Sequence, residues 1–186
     1  VGVRTWWAGL ECQTRPIYDT SLGDDGDWPA ELLDHELAHL WFGDHVRVAQ
    51  WDDIVNNEGW ATFVQNDEAA RRAGVDPHEA FRQAWTRTPP ARWRASLTDP
   101  GLGNLFGTTY TRGGLALQAL RNVLGEEQFW ALARSWAQGG GARSLADFQA
   151  HVEASTGRDL DAFWAAWYKA PVAPERTPDL GWVGAP

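Results

Sequence analysis

The sequence predicts a mainly α-helical fold with a small N-terminal β element. At 186 residues the chain has about the length of one domain and can bury a single core. From Pro29 onward, most segments carry apolar residues at three- and four-residue spacing, which is typical of helices. Residues 1–18 instead contain β-branched and aromatic residues without that period, which indicates one or two strands before a turn-rich loop.

The first three helices have recognisable starts and ends. "PAELLDHELAHLWFGDHV" begins at Pro29, a residue suited to a helix start, and predicts a helix through residues 29–46. A second helix is expected over about 56–73, closing at Gly74, because glycine readily ends helices. A third is expected over 76–86, with Pro77 in its first turn.

Residues 87–109 show no periodicity and are interrupted by prolines and glycines, so we expect a long irregular connection. The tail from Pro171 should be extended, and "GGG" at 139–141 indicates a short linker. Between these segments, apolar spacing predicts four more helices, within residues 112–125, 126–138, 144–157 and 159–171.

Composition excludes several classes of partner. The formal net charge is −9 and no Lys/Arg-rich block occurs, which argues against nucleic acid and anionic membrane surfaces. No apolar run is long enough to span a bilayer, so we expect a soluble protein, with its compartment left open. The chain contains no methionine and begins abruptly, which suggests a fragment or a processed product.

One local motif points to metal chemistry. "HELAH" places His35 and His39 one helical turn apart on the same face, with Glu36 beside them. Two imidazoles at this spacing can bind one zinc ion, although polar residues sharing a buried helix face are the alternative. Because catalytic zinc usually takes three protein ligands, a further ligand is required.

Glu58 is the candidate third ligand. It opens the second predicted helix, after enough chain to end the first helix and turn back. Two histidines and a glutamate are a known zinc ligand set. Without the first motif, the favoured interpretation of Glu58 would be a solvated residue that stabilises a helix N-terminus.

Together these stretches resemble the aminopeptidase-N-like gluzincins, zinc aminopeptidases with a thermolysin-like catalytic domain. The resemblance rests on "HELAHLWFGD", "WDDI" and "NEGWATFVQ", and it extends to "AGLECQTRP", similar to the family's G-x-M-E-N segment, and "TYTRGG", similar to its Y-x-[KR]-G. The motifs follow the family's order from residue 9 to 113. The chain departs from it at Cys12, where asparagine is usual, and in "IVNNEG", where the family is more apolar.

The resemblance implies a metal centre and a catalytic pair. His35, His39 and Glu58 would bind one Zn²⁺, leaving a fourth position for water. Glu36 would be the general base that takes the proton of that water. Tyr110 would donate a hydrogen bond to the oxyanion that develops on the substrate.

The resemblance also implies how substrate is held. Glu11 would bind the free α-amino group of a peptide and so make the enzyme an exopeptidase. Gly9 would let the substrate backbone approach closely. The expected activity is zinc-dependent release of N-terminal amino acids from peptides.

Two alternatives stay open at this stage. The chain could be a truncated zinc-binding fragment without activity of its own, or an endopeptidase or epoxide hydrolase that uses the same site. Family members ordinarily carry upstream strands and a β-rich N-terminal domain, which this chain apparently lacks. We expect one catalytic domain over residues 1–186: the strand and zinc-binding helices in 1–75, a helical subdomain with Tyr110 in 76–170, and an extended tail in 171–186.

Overall fold

The computed structural model describes residues 2–4, 7–23 and 29–184. Parts of the predicted strand region, of the loop after it and of the tail lie outside the described residues, namely 1, 5–6, 24–28 and 185–186. The helices are α1 (Ala30–Ala38), α2 (Val55–Ala73), α3 (Pro77–Arg87), α4 (Thr108–Leu124), α5 (Glu126–Gly139), α6 (Leu145–Thr156) and α7 (Asp161–Trp164), which continues as a π-helical turn (Ala165–Lys169). The strands are β1 (Gly2–Val3), β2 (Gly9–Leu10), β3 (Ile17–Asp19), β4 (Val46–Val48) and β5 (Gly141–Arg143).

Local signals account for several helix ends. α2 ends at Gly74 in the left-handed conformation (φ 65°), as glycine there predicts. Asp76 caps α3 by accepting hydrogen bonds from two backbone amides, and Pro77 occupies its first turn. Ser144 and Asp147 form a reciprocal capping box on α6.

Two predictions about local structure after the N-terminal region were wrong. The first helix ends at Ala38 instead of continuing to residue 46, because the chain turns at Gly43 (φ 146°) and enters β4. Residue 141 of the predicted glycine linker begins β5, which pairs in parallel with β4. Neither strand has a local signal, since each is three residues long and their pairing joins segments almost 100 residues apart.

A second small sheet lies at the N-terminus. β3 is its central strand, pairing in parallel with β1 and antiparallel with β2, so three short strands replace the one or two expected. β2 contacts α1, which brings Gly9 and the residues after it beside the first helix. This contact determines where Glu11 lies.

α2 and α4 form the centre of the molecule. Gly59 and Gly113 meet where the helices are closest, since a Cβ on Gly113 would lie 3.0 Å from the Cα of Gly59. Eight residues further along both helices, Asp67 pairs with Arg121. The two helices are therefore parallel, and the residues near their N-terminal ends, Glu58 and Tyr110, lie at the same end of the pair.

The core around these helices is rich in aromatic side chains. Trp60 stacks on Phe42 with ring centroids 4.4 Å apart, and Trp85 packs on Trp93 at 4.7 Å. Such rings bury much apolar area per residue, so they supply a large part of the driving force for folding. Among the residues that the structure describes, seven buried tryptophans line this interior: Trp60, Trp85, Trp93, Trp136, Trp164, Trp167 and Trp182.

Candidate functional site

α1 turns its polar face inward. His35, Glu36 and His39 are buried, whereas Leu37 and Trp41 on the apolar side are about half exposed. Burying three ionisable groups is costly unless each one is paired or used. The face that packs against α2 is therefore the one that carries chemistry.

Two of these buried groups, His35 and His39, converge with Glu58 of α2 as a candidate metal ligand set. Glu58 Oε2 lies 3.2 Å from His35 Nε2 and 3.4 Å from His39 Nε2. All three ligand atoms lie within 4.8 Å of one another, close enough to surround one ion. The structure thus brings together the three residues that the spacing predicts.

The other ring nitrogens orient both histidines towards that point. His35 Nδ1 lies 3.0 Å from Gln65 Oε1, and His39 Nδ1 lies 3.0 Å from the carbonyl oxygen of Phe42. Because both oxygens only accept hydrogen bonds, each Nδ1 carries a proton and donates it, so a ring that loses its second proton presents the Nε2 lone pair to the point where Glu58 Oε2 also lies. Zinc-binding histidines have this arrangement, so the residues fit a zinc ion.

Opposite charges stabilise the cluster in the metal-free chain. Burial alone would raise the pKa of Glu58, but hydrogen bonds from His35 and His39 lower it to about 2. Burial likewise opposes the charge on His39, but the hydrogen bond to Glu58 raises its pKa to about 9. Glu58 is consequently ionised and faces protonated His39 at neutral pH.

Glu36 lies beside this cluster and against Gly9. A Cβ on Gly9 would lie 2.2 Å from Glu36 Oε1, so only glycine fits there. Burial raises the pKa of Glu36 to about 7, although the neighbouring His39 and His35 oppose the shift. A carboxyl group with that pKa can accept or release a proton near neutrality.

Glu11 reaches the same site from the segment after β2. One of its oxygens lies within 4.8 Å of ligand atoms of both Glu36 and His39. Asn57, one residue before Glu58, holds it by donating from Nδ2 to Glu11 Oε1 at 3.1 Å. Two carboxylates facing one another in this way attract a cation.

Tyr110 lies in the first turn of α4 and packs on the metal-ligand candidates. Its ring is nearly parallel to that of His35, with centroids 5.7 Å apart. Burial and the adjacent Glu58 raise the pKa of Tyr110, so its hydroxyl stays protonated and able to donate a hydrogen bond. All seven residues singled out from the sequence are thus gathered at one place.

Sequence reasoning missed the residues that hold these groups. Gln65 lies two turns after Glu58 on α2, a spacing that puts it on the same helix face, but nothing in its neighbourhood marks it. Asn57 adjoins Glu58 in the quoted motif and could have been singled out on that ground. Gly43, where a Cβ would lie 2.3 Å from Asn57 Oδ1, is recognisable only from the fold.

Comparison with known proteins agrees with this geometry. Residues 16–91 match the model of the peptidase family M1 domain. The chain is 32% identical over 157 residues to aminopeptidase N of Streptomyces lividans, and 30% identical over 169 residues to aminopeptidase N of Lactococcus lactis. The chain belongs to the aminopeptidase-N-like M1 peptidase family.

These alignments cover 74% and 81% of this M1 family chain but only 18% and 20% of the two relatives. The M1 zinc metallopeptidase from Deinococcus radiodurans has the same fold, with a TM-score of 0.82 and 25% sequence identity. The match covers 100% of this chain and 41% of that one. Leukotriene A4 hydrolase from Saccharomyces cerevisiae resembles it in fold, with a TM-score of 0.72 at 20% identity, covering 92% of this chain and 31% of that one. The predicted family and the mainly helical fold class are confirmed.

The described part of this M1 family chain contains no helix that is both long and apolar enough to cross a membrane.

Proposed function

We propose that the chain carries the catalytic centre of a zinc-dependent aminopeptidase. The observation that carries this proposal is the convergence of His35, His39 and Glu58, with the carboxylate of Glu11 in the same site. The first three would hold the ion. Glu11 would bind a positive charge in this site. The two relatives are named aminopeptidase N, a name that implies substrates with a free N-terminus.

When bound, zinc would polarise the scissile carbonyl and lower the pKa of the attacking water. Glu36 accepts the proton of that water and passes it to the leaving amine. Gly9 packs against this carboxylate and limits the positions that it can take. With a pKa of about 7, Glu36 can take up a proton near neutrality, and the positive charge of a bound ion would lower that pKa and favour the basic form.

Tyr110 donates its hydroxyl hydrogen to the oxyanion that develops on the scissile carbonyl. The stacked contact with His35 keeps the Tyr110 ring beside the metal-ligand candidates. Removing one such donor usually lowers kcat by about 10²- to 10³-fold. Tyr110→Phe should therefore retain zinc and lose most turnover.

Glu11 binds the α-ammonium group of the substrate. It already shares its surroundings with Glu36, so an ammonium group relieves the repulsion between the two carboxylates. A peptide with a blocked N-terminus lacks that charge. The site should consequently discriminate strongly between free and acetylated N-termini.

The test measures zinc content and hydrolysis of amino-acid anilides by the 186-residue chain, with Glu36→Gln as the control. We expect one zinc per chain in both proteins and turnover only in the parent. Zinc binding without turnover in the parent would favour the inactive fragment instead. Equal hydrolysis of N-acetylated and free substrates would remove the exopeptidase assignment and leave an endopeptidase.

A further inference from the structure

Arg112 lies two residues after Tyr110 and is completely buried. A guanidinium group has five N–H donors, and here each one meets a backbone carbonyl oxygen. The bonds are Nε to Trp167 at 2.8 Å, Nη1 to Trp93 and Ala95 at 2.9 Å each, and Nη2 to Ala166 at 3.1 Å and Ala170 at 2.6 Å. No donor of this buried cation is left over.

Three of the acceptors belong to the end of one helix. The carbonyls of Ala166, Trp167 and Ala170 lie at the C-terminal end of α7 and its π-helical turn, where helical hydrogen bonds run out. That end carries the negative pole of the helix dipole, which stabilises a cation without a counterion. In the described part of the chain no carboxylate pairs with Arg112, and burial lowers its pKa only to about 10, so it stays charged.

Arg112 therefore joins three segments: the start of α4, the chain at Trp93 to Ala95, and the end of α7. Tyr110 and Arg112 are two residues apart, so they project from different faces of α4. Gly113, three residues after Tyr110, lies against Gly59 of α2 and fixes the approach of the two helices. Arg112 holds the other side of the same turn.

The rotation of the first turn of α4 depends on tertiary contacts, with Gly113 against Gly59 on one side and the Arg112 hydrogen bonds on another. The N-cap of α4 is Gly107, which has no side chain to bind the free amides. If α4 rotated about its axis, Arg112 would leave five carbonyls and the Tyr110 ring would leave its stacked contact with His35. The two residues are thus mechanically coupled through one helical turn.

We propose that Arg112 is a positioning residue that sets the orientation of the Tyr110 hydroxyl in the active site. The inference rests on the proposed role of Tyr110 as the oxyanion donor. Through Arg112, the end of α7 would then help to position Tyr110, although none of the site residues named above lies on α7. Lysine at this position has three donors for five acceptors, so it restores the charge but only some of the hydrogen bonds to the backbone carbonyls.

The experiment compares Arg112→Met, Arg112→Lys, Tyr110→Phe and the double variant Tyr110→Phe/Arg112→Met as zinc-loaded full chains. For Arg112→Met we expect kcat to fall on the order of 100-fold, since small misplacements of catalytic groups cost that much. KM and zinc content should change by less than about twofold, and Arg112→Lys should recover part of kcat. In the Tyr110→Phe background, Arg112→Met should lower kcat by less than about twofold, because the coupled group is already absent.

Arg121→Met is the matched control. Arg121 is another buried arginine on α4, but it pairs with Asp67 and Glu126, far along the helix from Tyr110. We expect this variant to lose thermal stability while keeping kcat. A loss of kcat equal to that of Arg112→Met would mean that any buried arginine of α4 acts through stability, and would overturn the inference.

The two proposals fail in different ways. Full turnover in Tyr110→Phe would remove the role of Tyr110, whatever Arg112 does. If Tyr110→Phe loses turnover, two results would overturn the role of Arg112 alone. One is an unchanged kcat in Arg112→Met. The other is an equal fold-decrease in kcat when Arg112→Met is made in the parent and in Tyr110→Phe. If Arg112→Met does not fold, the same comparison made with Arg112→Lys decides the matter.

Discussion

The carboxylate of Glu36 packs directly on the α-carbon of Gly9, with no room between them for a methyl group. A Cβ built on Gly9 would lie 2.2 Å from Oε1, 2.5 Å from Cδ and 2.8 Å from Cγ of Glu36. The resemblance to the M1 family implied that Gly9 makes room for substrate. In this structure the group that approaches it is the proposed general base.

Gly9→Ala should therefore act on chemistry more than on substrate binding. The added methyl displaces the Glu36 carboxylate by an ångström or more, and we expect kcat to fall on the order of 100-fold. Zinc content should be unchanged because the atoms nearest to the added methyl all belong to Glu36, which is not one of the three ligand candidates. The measurement is the separate determination of kcat and KM.

Gly103→Ala is the control for Gly9→Ala, since a Cβ there meets no atom within 4 Å. It should keep the parent's kcat and KM. A large rise in KM at constant kcat in Gly9→Ala would instead support the original interpretation, in which Gly9 accommodates the substrate backbone.

The metal-ligand candidates could be predicted from sequence because their geometry is local. His35 and His39 share a face of α1 by helical periodicity alone, and the structure keeps that helix through Ala38. Glu58 needed only a second helix packed on the first. Family resemblance then added Tyr110 and Glu11, which no spacing argument could have related to the histidines.

The supporting contacts could not be predicted, because they depend on packing between distant segments. Asn57 donates a hydrogen bond to Glu11, which lies 46 positions earlier in the chain. Arg112 donates to backbone carbonyls that lie 54 to 58 positions later. Backbone carbonyls leave no trace in the side-chain pattern that a sequence displays. The same reason explains the missed strands, whose pairing partners are almost 100 residues apart.

Gln65 should control zinc affinity through His35. Its Oε1 accepts the Nδ1 proton of His35 at 3.0 Å, which fixes the tautomer and the orientation of the ring. Removing such a partner typically weakens metal binding by about 10- to 100-fold. We expect Gln65→Ala to show this loss in competition with a chelator, with its fold retained.

Gln83→Ala provides the comparison for Gln65→Ala, because Gln83 is an exposed glutamine whose side-chain partners in the described part of the chain are Glu79 and Arg87 on its own helix. Its zinc affinity should equal that of the parent. Parent-like affinity in Gln65→Ala as well would mean that His35 is oriented without Gln65.

Asn57 should control recognition of the substrate's N-terminus. Its Nδ2 donates to Glu11 Oε1 at 3.1 Å and holds that carboxylate in the site. Loss of one such bond to a charged group costs about 1.5 to 3 kcal/mol, equivalent to roughly a 10- to 150-fold change in a binding constant. Asn57→Ala should accordingly raise KM for a free-amine substrate by an amount within this range.

The ratio of kcat/KM for free over N-acetylated substrate makes this test specific to Asn57. In Asn57→Ala the ratio should fall towards that of Glu11→Ala. Were the ratio to stay at the parent's value while overall activity fell, Asn57 would act on Glu58 or on folding instead of on Glu11.

Zinc uptake should depend on pH through His39. Burial by itself would lower the pKa of this imidazole, but the hydrogen bond to Glu58 raises it to about 9 in the metal-free chain. Zinc binds only the neutral ring, so below that pKa each ion must displace a proton. The apparent zinc affinity should therefore rise by about tenfold for each pH unit between about pH 7.5 and 9, and then level off.

Glu58 contributes no proton in this range, because hydrogen bonds from the two histidines outweigh its burial and lower its pKa to about 2. Glu36, with a pKa of about 7, is largely ionised at about pH 8. Calorimetric titration with zinc at about pH 8, in two buffers of different ionisation enthalpy, should then report the proton that leaves His39. A zinc affinity that does not change between about pH 7.5 and 9 would show that His39 is already neutral, and that its bond to Glu58 does not hold a proton.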